Sequence, residues 1–316
     1  MSDSEVNQPD VARESNSAGI AFALGAFVIW GLIPIFFKEL SHVPALEFLG
    51  YRMVWSFIFL IFLLFFRRTV SQLFQEIFHS LRDRKLMLML GTTALLISSN
   101  WLVYIWAIAH DQVLQASLGY FINPLMNVAL GLLLLGEKLS RTKLIAVGLA
   151  ATGVLYMIAM GGGFPWIALY LAASFALYGL IRKKAHVGAI MGLWVEMLLL
   201  LPVALGYLLY LRLTAPPGGN GHDDYTLFML IISGAVTTIP LVFFAAAAKR
   251  LPLSTIGVLQ YIAPTMTLLF AVFLWHEPFT LTHMIAFAFI WTGLALYTMD
   301  SFFSLRKNGN HPGRES

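Results

Sequence analysis

Residues 114–139 read LQASLGYFINPLMNVALGLLLLGEKL, and residues 254–279 read STIGVLQYIAPTMTLLFAVFLWHEPF. Slid by 140 positions without a gap, Pro124 falls on Pro264, Glu137 on Glu277 and Ile122 on Ile262. Each stretch is an apolar run with a proline in its first half and a glutamate at its close, so one structural unit occurs twice. Each is also long enough for a membrane: about 20 mostly apolar residues cross roughly 30 Å of hydrocarbon as a helix, because lipid offers an open backbone no hydrogen-bond partner.

The rest of the 316-residue chain agrees, being 59% hydrophobic and 11% charged. Ten runs qualify as spans, at about 18–37, 45–66, 86–109, 113–135, 142–160, 164–181, 187–211, 226–248, 253–275 and 281–303. Residues 1–17 are polar and lack the basic start and short apolar core of a cleaved leader, so they read as a disordered tail before a retained first span. Of the 20 Lys and Arg residues, 17 fall in connections on one face and two, Lys38 and Arg212, on the other. Basic connections stay in the cytoplasm, which places both termini there, residues 304–316 included, and supports an even helix count. That asymmetry accounts for the pI of 9.3 without nucleic acid as a partner. The connection from Arg67, RRTVSQLFQEIFHSLRDRK, spaces its apolar residues as an interfacial helix would. With no cysteine there are no disulfides and no thiolate metal sites. His222, Asp223 and Asp224 fall in a turn-rich segment and read as a solvated loop rather than a metal cluster.

The 140-residue offset also sets Gly153 over Gly293, while Trp30-Gly31-Leu32-Ile33 resembles Tyr178-Gly179-Leu180-Ile181 at 148. The chain is therefore two units of five helices, 18–161 and 164–303. Five is odd, so the second unit enters the membrane from the opposite side and the repeats are inverted. Secondary transporters use this ground plan, because two similar halves that exchange conformations generate outward-open and inward-open states around a site between them. Pro124 and Pro264 are then candidate twin helix breaks, against the alternative of kinks that only shape packing. Gly131, Gly136, Gly148 and Gly153 are candidates for close helix packing.

Two tandem units of this kind resemble the EamA-type repeats of the drug/metabolite transporter superfamily. The segments WGLIPIFFK, YRMVWSF, SSNWLVYIWA, QASLGYFINPL, FALYGLIRKK and STIGVLQYIAPT resemble the RarD subgroup over about Gly19 to Phe303. That resemblance implies an all-α polytopic inner-membrane transporter of ten transmembrane helices, with a central cavity lined by the first four helices of each half and the fifth of each packed to the side. It implies no particular substrate.

Charges inside spans are costly and each is a functional candidate. Arg52, counted from the outside, and Glu196, counted from the inside, both lie roughly 10–14 Å deep at 1.5 Å per residue, close to the midplane, and they are related at an offset of 144. Pairing across the symmetry axis is expected of them, with three roles open: anchoring an anionic or zwitterionic solute, switching partners during transport, or neutralising each other. Glu196 is also the best-placed carboxylate for exchanging a proton. Glu47 and Asp300 sit near span ends, and Glu137 and Glu277 read as partners of a neighbouring helix start. Trp30, Asn100, Trp101, Tyr104, Tyr120, Asn123, Tyr178, Gln260 and Tyr261 suit a cavity that holds an amphipathic solute by stacking and a few directed hydrogen bonds; the alternative is lipid-facing or interfacial packing.

Competing functions find less support. GLLLLGEKLS from Gly131 has Glu137 where a phosphate-binding loop requires lysine, QASLG lacks the first glycine of a nucleophile elbow, and His276-Glu277 has no second histidine at zinc spacing. The expectation is a non-enzymatic secondary transporter without cofactor or metal, exporting a small amphipathic metabolite, amino acid or drug-like solute, with protons as a candidate coupling ion. The alternative is a non-transporting membrane receptor or scaffold.

Overall fold

The computed structural model describes residues 8–66, 83–135, 140–160, 163–185, 187, 189–214, 222–248, 250–251 and 259–309. Regular structure among them is helical: α1 (Gln8–Glu39), α2 (Ala45–Phe66), α3 (Arg84–Ala109), α4 (Val113–Leu135), α5 (Arg141–Ala159), α6 (Trp166–Lys184), α7 (Ala189–Thr214), α8 (Asp224–Ala248), α9 (Ile262–Leu269, continuing as a π-helical turn over Phe270–Leu274) and α10 (Leu281–Gly309). Apolar composition alone does not set the boundaries; polar caps do. The Asp83 carboxylate accepts from the backbone N–H groups of Lys85 and Leu86 at 2.9 and 3.1 Å to start α3, and the Ser140 hydroxyl oxygen accepts from Lys143 N–H at 3.2 Å to start α5. The expected basic interfacial helix lies mostly at 67–82, outside the described residues, as do Glu137 and the centre of the 212–225 loop.

Among the described residues, seven helices are long and apolar enough to cross a membrane, judged by length and composition: Ser17–Glu39 within α1, Ala45–Phe62, Arg84–Ala109, Arg141–Ala159, Met191–Thr214, Asp224–Phe244 and Leu281–Asp300. Trp166–Arg182 and Ile262–Leu274 are shorter apolar helices. The chain is thus a multi-pass membrane protein. The first helix begins at Gln8, inside the stretch expected to be a tail.

The ninth run departs from an unbroken span. Gln260 and Tyr261 form a turn, and α9 starts only at Ile262. A proline ring clashes with the carbonyl four residues back, and for Pro264 that residue is Gln260, where the helix stops. The Tyr261 carbonyl is then taken up by the Thr265 N–H (3.1 Å) and hydroxyl (2.7 Å). Pro124 behaves differently: α4 is helical from Val113 to Leu135 without interruption, so the expected twin breaks reduce to one. Prolines also sit inside α1, α7 and α8 at Pro34, Pro202 and Pro240. Membrane helices tolerate them where neighbours and local adjustments satisfy the freed groups.

Contacts between helix ends fix the antiparallel order. At one end of the bundle Lys38 at the close of α1 pairs with Asp111 in the α3–α4 turn, and His42 meets Thr226 at the start of α8. At the other, Gly19 in α1 lies against Leu251 beyond α8, and Ser140 before α5 donates to Asp300 in α10 at 2.9 Å. We call these the Lys38 end and the terminal end.

The inverted symmetry is written in contacts that map onto themselves. Phe121 and Tyr261, 140 positions apart, stack on each other with ring centroids 6.4 Å apart and planes 10° from parallel. In the α5–α10 pair, a Cβ on Gly153 would lie 2.7 Å from the Ala286 carbonyl oxygen, and one on Gly293 would lie 2.6 Å from the Ala146 carbonyl oxygen. Ala146 and Ala286 are themselves 140 apart, so each glycine meets the mate of the other's partner. Gly148, expected to pack closely, has nothing within 4 Å of its Cβ position; Gly136 lies outside the described residues and the surroundings of Gly131 are not described. Gly153→Val and Gly293→Val are accordingly each expected to cost about 1–3 kcal/mol, since overpacking against backbone cannot relax by side-chain motion. Gly148→Val is expected to leave the unfolding midpoint of the purified protein within a degree or two of wild type, within about 0.5 kcal/mol. An equal drop for all three would remove the packing argument.

Candidate functional site

Arg52 lies on α2 and is 4% exposed. Its Nε–H donates to the Thr237 hydroxyl oxygen on α8 at 2.7 Å, while the Thr237 hydroxyl itself donates to the Ser233 carbonyl at 2.8 Å. The two helices come close enough for this because of Gly234, where a Cβ would stand 2.4 Å from the Trp55 carbonyl carbon of α2. The guanidinium carbon sits 4.3 Å from the Trp101 ring centroid and 5.2 Å from that of Phe37. Tyr104 extends this aromatic wall, edge-on to Phe37 at 6.0 Å and to Tyr120 at 5.5 Å. Of the residues expected to line a cavity, the fold therefore gathers Arg52, Trp101, Tyr104 and Tyr120 into one cage.

Glu196 on α7 is wholly buried and belongs to a second cluster. Its carboxylate accepts from the Thr93 hydroxyl of α3 at 2.7 Å and from the Tyr178 hydroxyl of α6 at 3.3 Å, and Arg182 Nε lies 3.6 Å away. The expected Arg52–Glu196 pair does not form. Each residue stands seven positions after the first residue of its helix, but α2 starts at the Lys38 end and α7 at the terminal end. Inversion thus places equivalent residues at opposite depths, and depth measured from either surface hides that.

Both clusters use a threonine that the sequence reading passed over. Thr93 and Thr237 are 144 apart, the same offset as Arg52 and Glu196, so Arg52–Thr237 and Glu196–Thr93 are symmetry mates. Each bond joins one half of the chain to the other. Applying the 144 offset to every polar residue, not only to charges, finds this pair. Arg182, one of the 17 cations expected in connections, lies instead in the last turn of α6, with Nε 3.6 Å from Glu196.

The other expected lining residues scatter. Asn100 is buried and donates to the Leu171 carbonyl at 3.0 Å and to the Ser174 hydroxyl at 2.9 Å, tying α3 to α6. Trp30 packs on Phe27 and Phe244 near the terminal end. Asn123 is half-buried on α4 with a buried Oδ1 that has no partner. Gln260 and Tyr261 form the turn before α9, beside Phe121.

The Lys38 end is cross-linked by polar contacts. His222 Nε2 lies 2.7 Å from Glu47 Oε1, so this histidine is seated on α2. No group of three His, Asp or Glu that could hold a metal occurs among the described residues. Glu277 follows His276, whose left-handed backbone (φ 54°) turns the chain back toward α4. Its two oxygens accept from Val113 N–H at 2.7 Å and Leu114 N–H at 2.8 Å, capping α4 from the other half of the molecule. Burial pushes this carboxyl above its ordinary range against the pull of the two N–H donors.

The sequence profile of the "EamA-like transporter family" matches residues 17–159 and again residues 164–299. The "Uncharacterized transporter YojE" of Bacillus subtilis is 43% identical over 293 residues, covering 93% of this chain and 97% of its own length. "Protein RarD" of Salmonella typhimurium is 45% identical over 290 residues, covering 92% and 97%. A solved crystal structure superposes with a TM-score of 0.58 at 18% identity, over 90% of this chain and 98% of the other, which is a likeness of fold.

Proposed function

The chain belongs to the EamA-like transporter family, and from that premise we propose that it is a secondary transporter moving a small amphipathic solute out of the cytoplasm by alternating access. The observation that carries the reading is the pair of symmetry-mated bonds between the halves. Arg52–Thr237 lies toward the Lys38 end and Glu196–Thr93 toward the terminal end, as a carrier needs whose two halves part on one side and then on the other. The terminal end, with its excess of Lys and Arg, is the cytoplasmic one. Glu196 is the proton-exchanging group. It reaches Thr93 of the first half and Tyr178 and Arg182 of its own, so loss of its charge would release Arg182 and loosen the contact between halves on the cytoplasmic side.

Reconstitution into liposomes tests both parts. Of a panel of aromatic amino acids, nucleosides and amphenicol antibiotics, at least one is expected to be carried saturably and, under an imposed pH gradient, concentrated. Glu196→Gln is expected to lose concentrative uptake at least tenfold while retaining solute exchange at equal pH. Undiminished concentrative uptake in Glu196→Gln would remove Glu196 as the coupling group, uptake that no pH gradient concentrates would remove proton coupling, and absence of any saturable flux would favour a receptor or scaffold.

A further inference from the structure

We infer that the solute is an anion, a carboxylate on an apolar body, and that Arg52 is the residue that binds its carboxylate; this rests on the transporter reading above. A guanidinium cannot lose its proton in a protein, so burying one demands a counter-charge or a full set of acceptors. Arg52 has neither. Among the described residues its partners are one neutral hydroxyl and two aromatic faces, and its Nη1 is buried without an acceptor. Aromatic faces attract a cation and hold its plane, but they accept nothing from the N–H donors left at its edge.

The molecule supplies its own comparison. Glu196 occupies the equivalent place in the second half, with the same threonine partner, and there the charge is answered by Arg182 at 3.6 Å. No described carboxylate takes the corresponding place beside Arg52. One charge is paired with an opposite charge inside the protein; beside the other, no described residue supplies a negative group of the size and forked geometry that a carboxylate offers to a guanidinium. The surroundings describe the rest of the solute. Trp101 and Tyr120 are half-buried beside the buried Tyr104, a wall suited to stacking on an apolar or aromatic body. The cage is built from α1, α2, α3, α4 and α8, which surround the guanidinium inside the bundle, away from lipid headgroups.

The test compares carboxylates with their neutral isosteres: 3-phenylpropionate, 4-phenylbutyrate and indole-3-acetate against the corresponding amides, with acetate, chloride and phosphate as small anions. Binding is read as a saturable rise in unfolding midpoint in nanodiscs of zwitterionic lipid, repeated with phosphatidylglycerol. At least one aromatic acid is expected to bind ten- to a hundredfold more tightly than its amide, about what a charge-assisted bond is worth. Arg52→Gln is expected to abolish that preference. Arg52→Lys, which keeps the charge but loses the Nε bond and the planar fork, is expected still to unfold in one cooperative transition while binding acids about tenfold more weakly and keeping a preference for acid over amide. Equal binding of acid and amide, acid binding indifferent to both variants, or no binding of any acid would overturn the assignment. So would an equal response to chloride or phosphate, or one that appears only with phosphatidylglycerol, each marking a different anion. Saturable flux of a neutral amphiphile that does not depend on Arg52 would leave the transporter reading intact and defeat this one alone.

Discussion

Gly234→Ala is expected to be the most damaging Gly→Ala change among the described glycines whose Cβ would meet backbone. Its Cβ would stand 2.4 Å from the Trp55 carbonyl carbon, 2.6 Å from the Trp55 carbonyl oxygen and 2.7 Å from the Ser56 nitrogen. All three are backbone atoms of α2, so no rotamer can yield and the helices themselves must separate. Overpacking of this kind costs about 1–3 kcal/mol and occasionally more. Thr237 is one turn further along α8, and moving that helix outward lengthens its bond to Arg52. The variant is expected to show a depressed midpoint together with weakened ligand response, whereas Gly206→Ala, with nothing within 4 Å of its Cβ position, is expected to show neither. A normal midpoint for Gly234→Ala would mean that α2 and α8 are not held in this contact.

Glu277→Ala is the second. It strips the start of α4 of acceptors for two buried backbone N–H groups, at a site where a negative charge also faces the positive end of the helix dipole. Orphaned buried donors and a lost cap together predict a loss of about 2–4 kcal/mol. Glu277→Gln keeps one acceptor oxygen and sheds the charge that burial disfavours, so it is expected to lose about half as much. Thermal unfolding of the three proteins side by side checks the order; alanine and glutamine variants of equal stability would show that neither oxygen is needed.

The sequence made the architecture readable because membrane spans are long, apolar and repeated. The fixed offset between Pro124 and Pro264 carries the two-unit organisation without any appeal to contacts. The structural role of Glu277 was readable too, from its place just past an apolar run. What the sequence could not show was which side chains meet. The same inversion that was inferred from five helices per unit sends Arg52 and Glu196 to opposite depths, and the consequence for their pairing needs three-dimensional placement. Asn100 illustrates a different limit. An amide inside a span is equally suited to a cavity and to a helix contact, and only the position of α6 decides between them. Pro124 and Pro264 illustrate a third, since identical local chemistry leaves one helix intact and interrupts the other.

The reciprocal glycine contacts between α5 and α10 bear on energetics as well as on shape. In a carrier whose two end states exchange the conformations of its halves, an interaction that reads the same after the exchange contributes equally to both and cancels from their difference. Gly153 on Ala286 and Gly293 on Ala146 are of that kind, as far as residue types are concerned. On the alternating-access reading proposed above, they stabilise the protein while leaving its orientation preference untouched. The balance between outward and inward forms is then set where mates are chemically unlike, Arg52 against Glu196 and Tyr120 against Gln260 among them. Mismatched polar positions of this kind are the place to look for mutations that trap one form without weakening the fold.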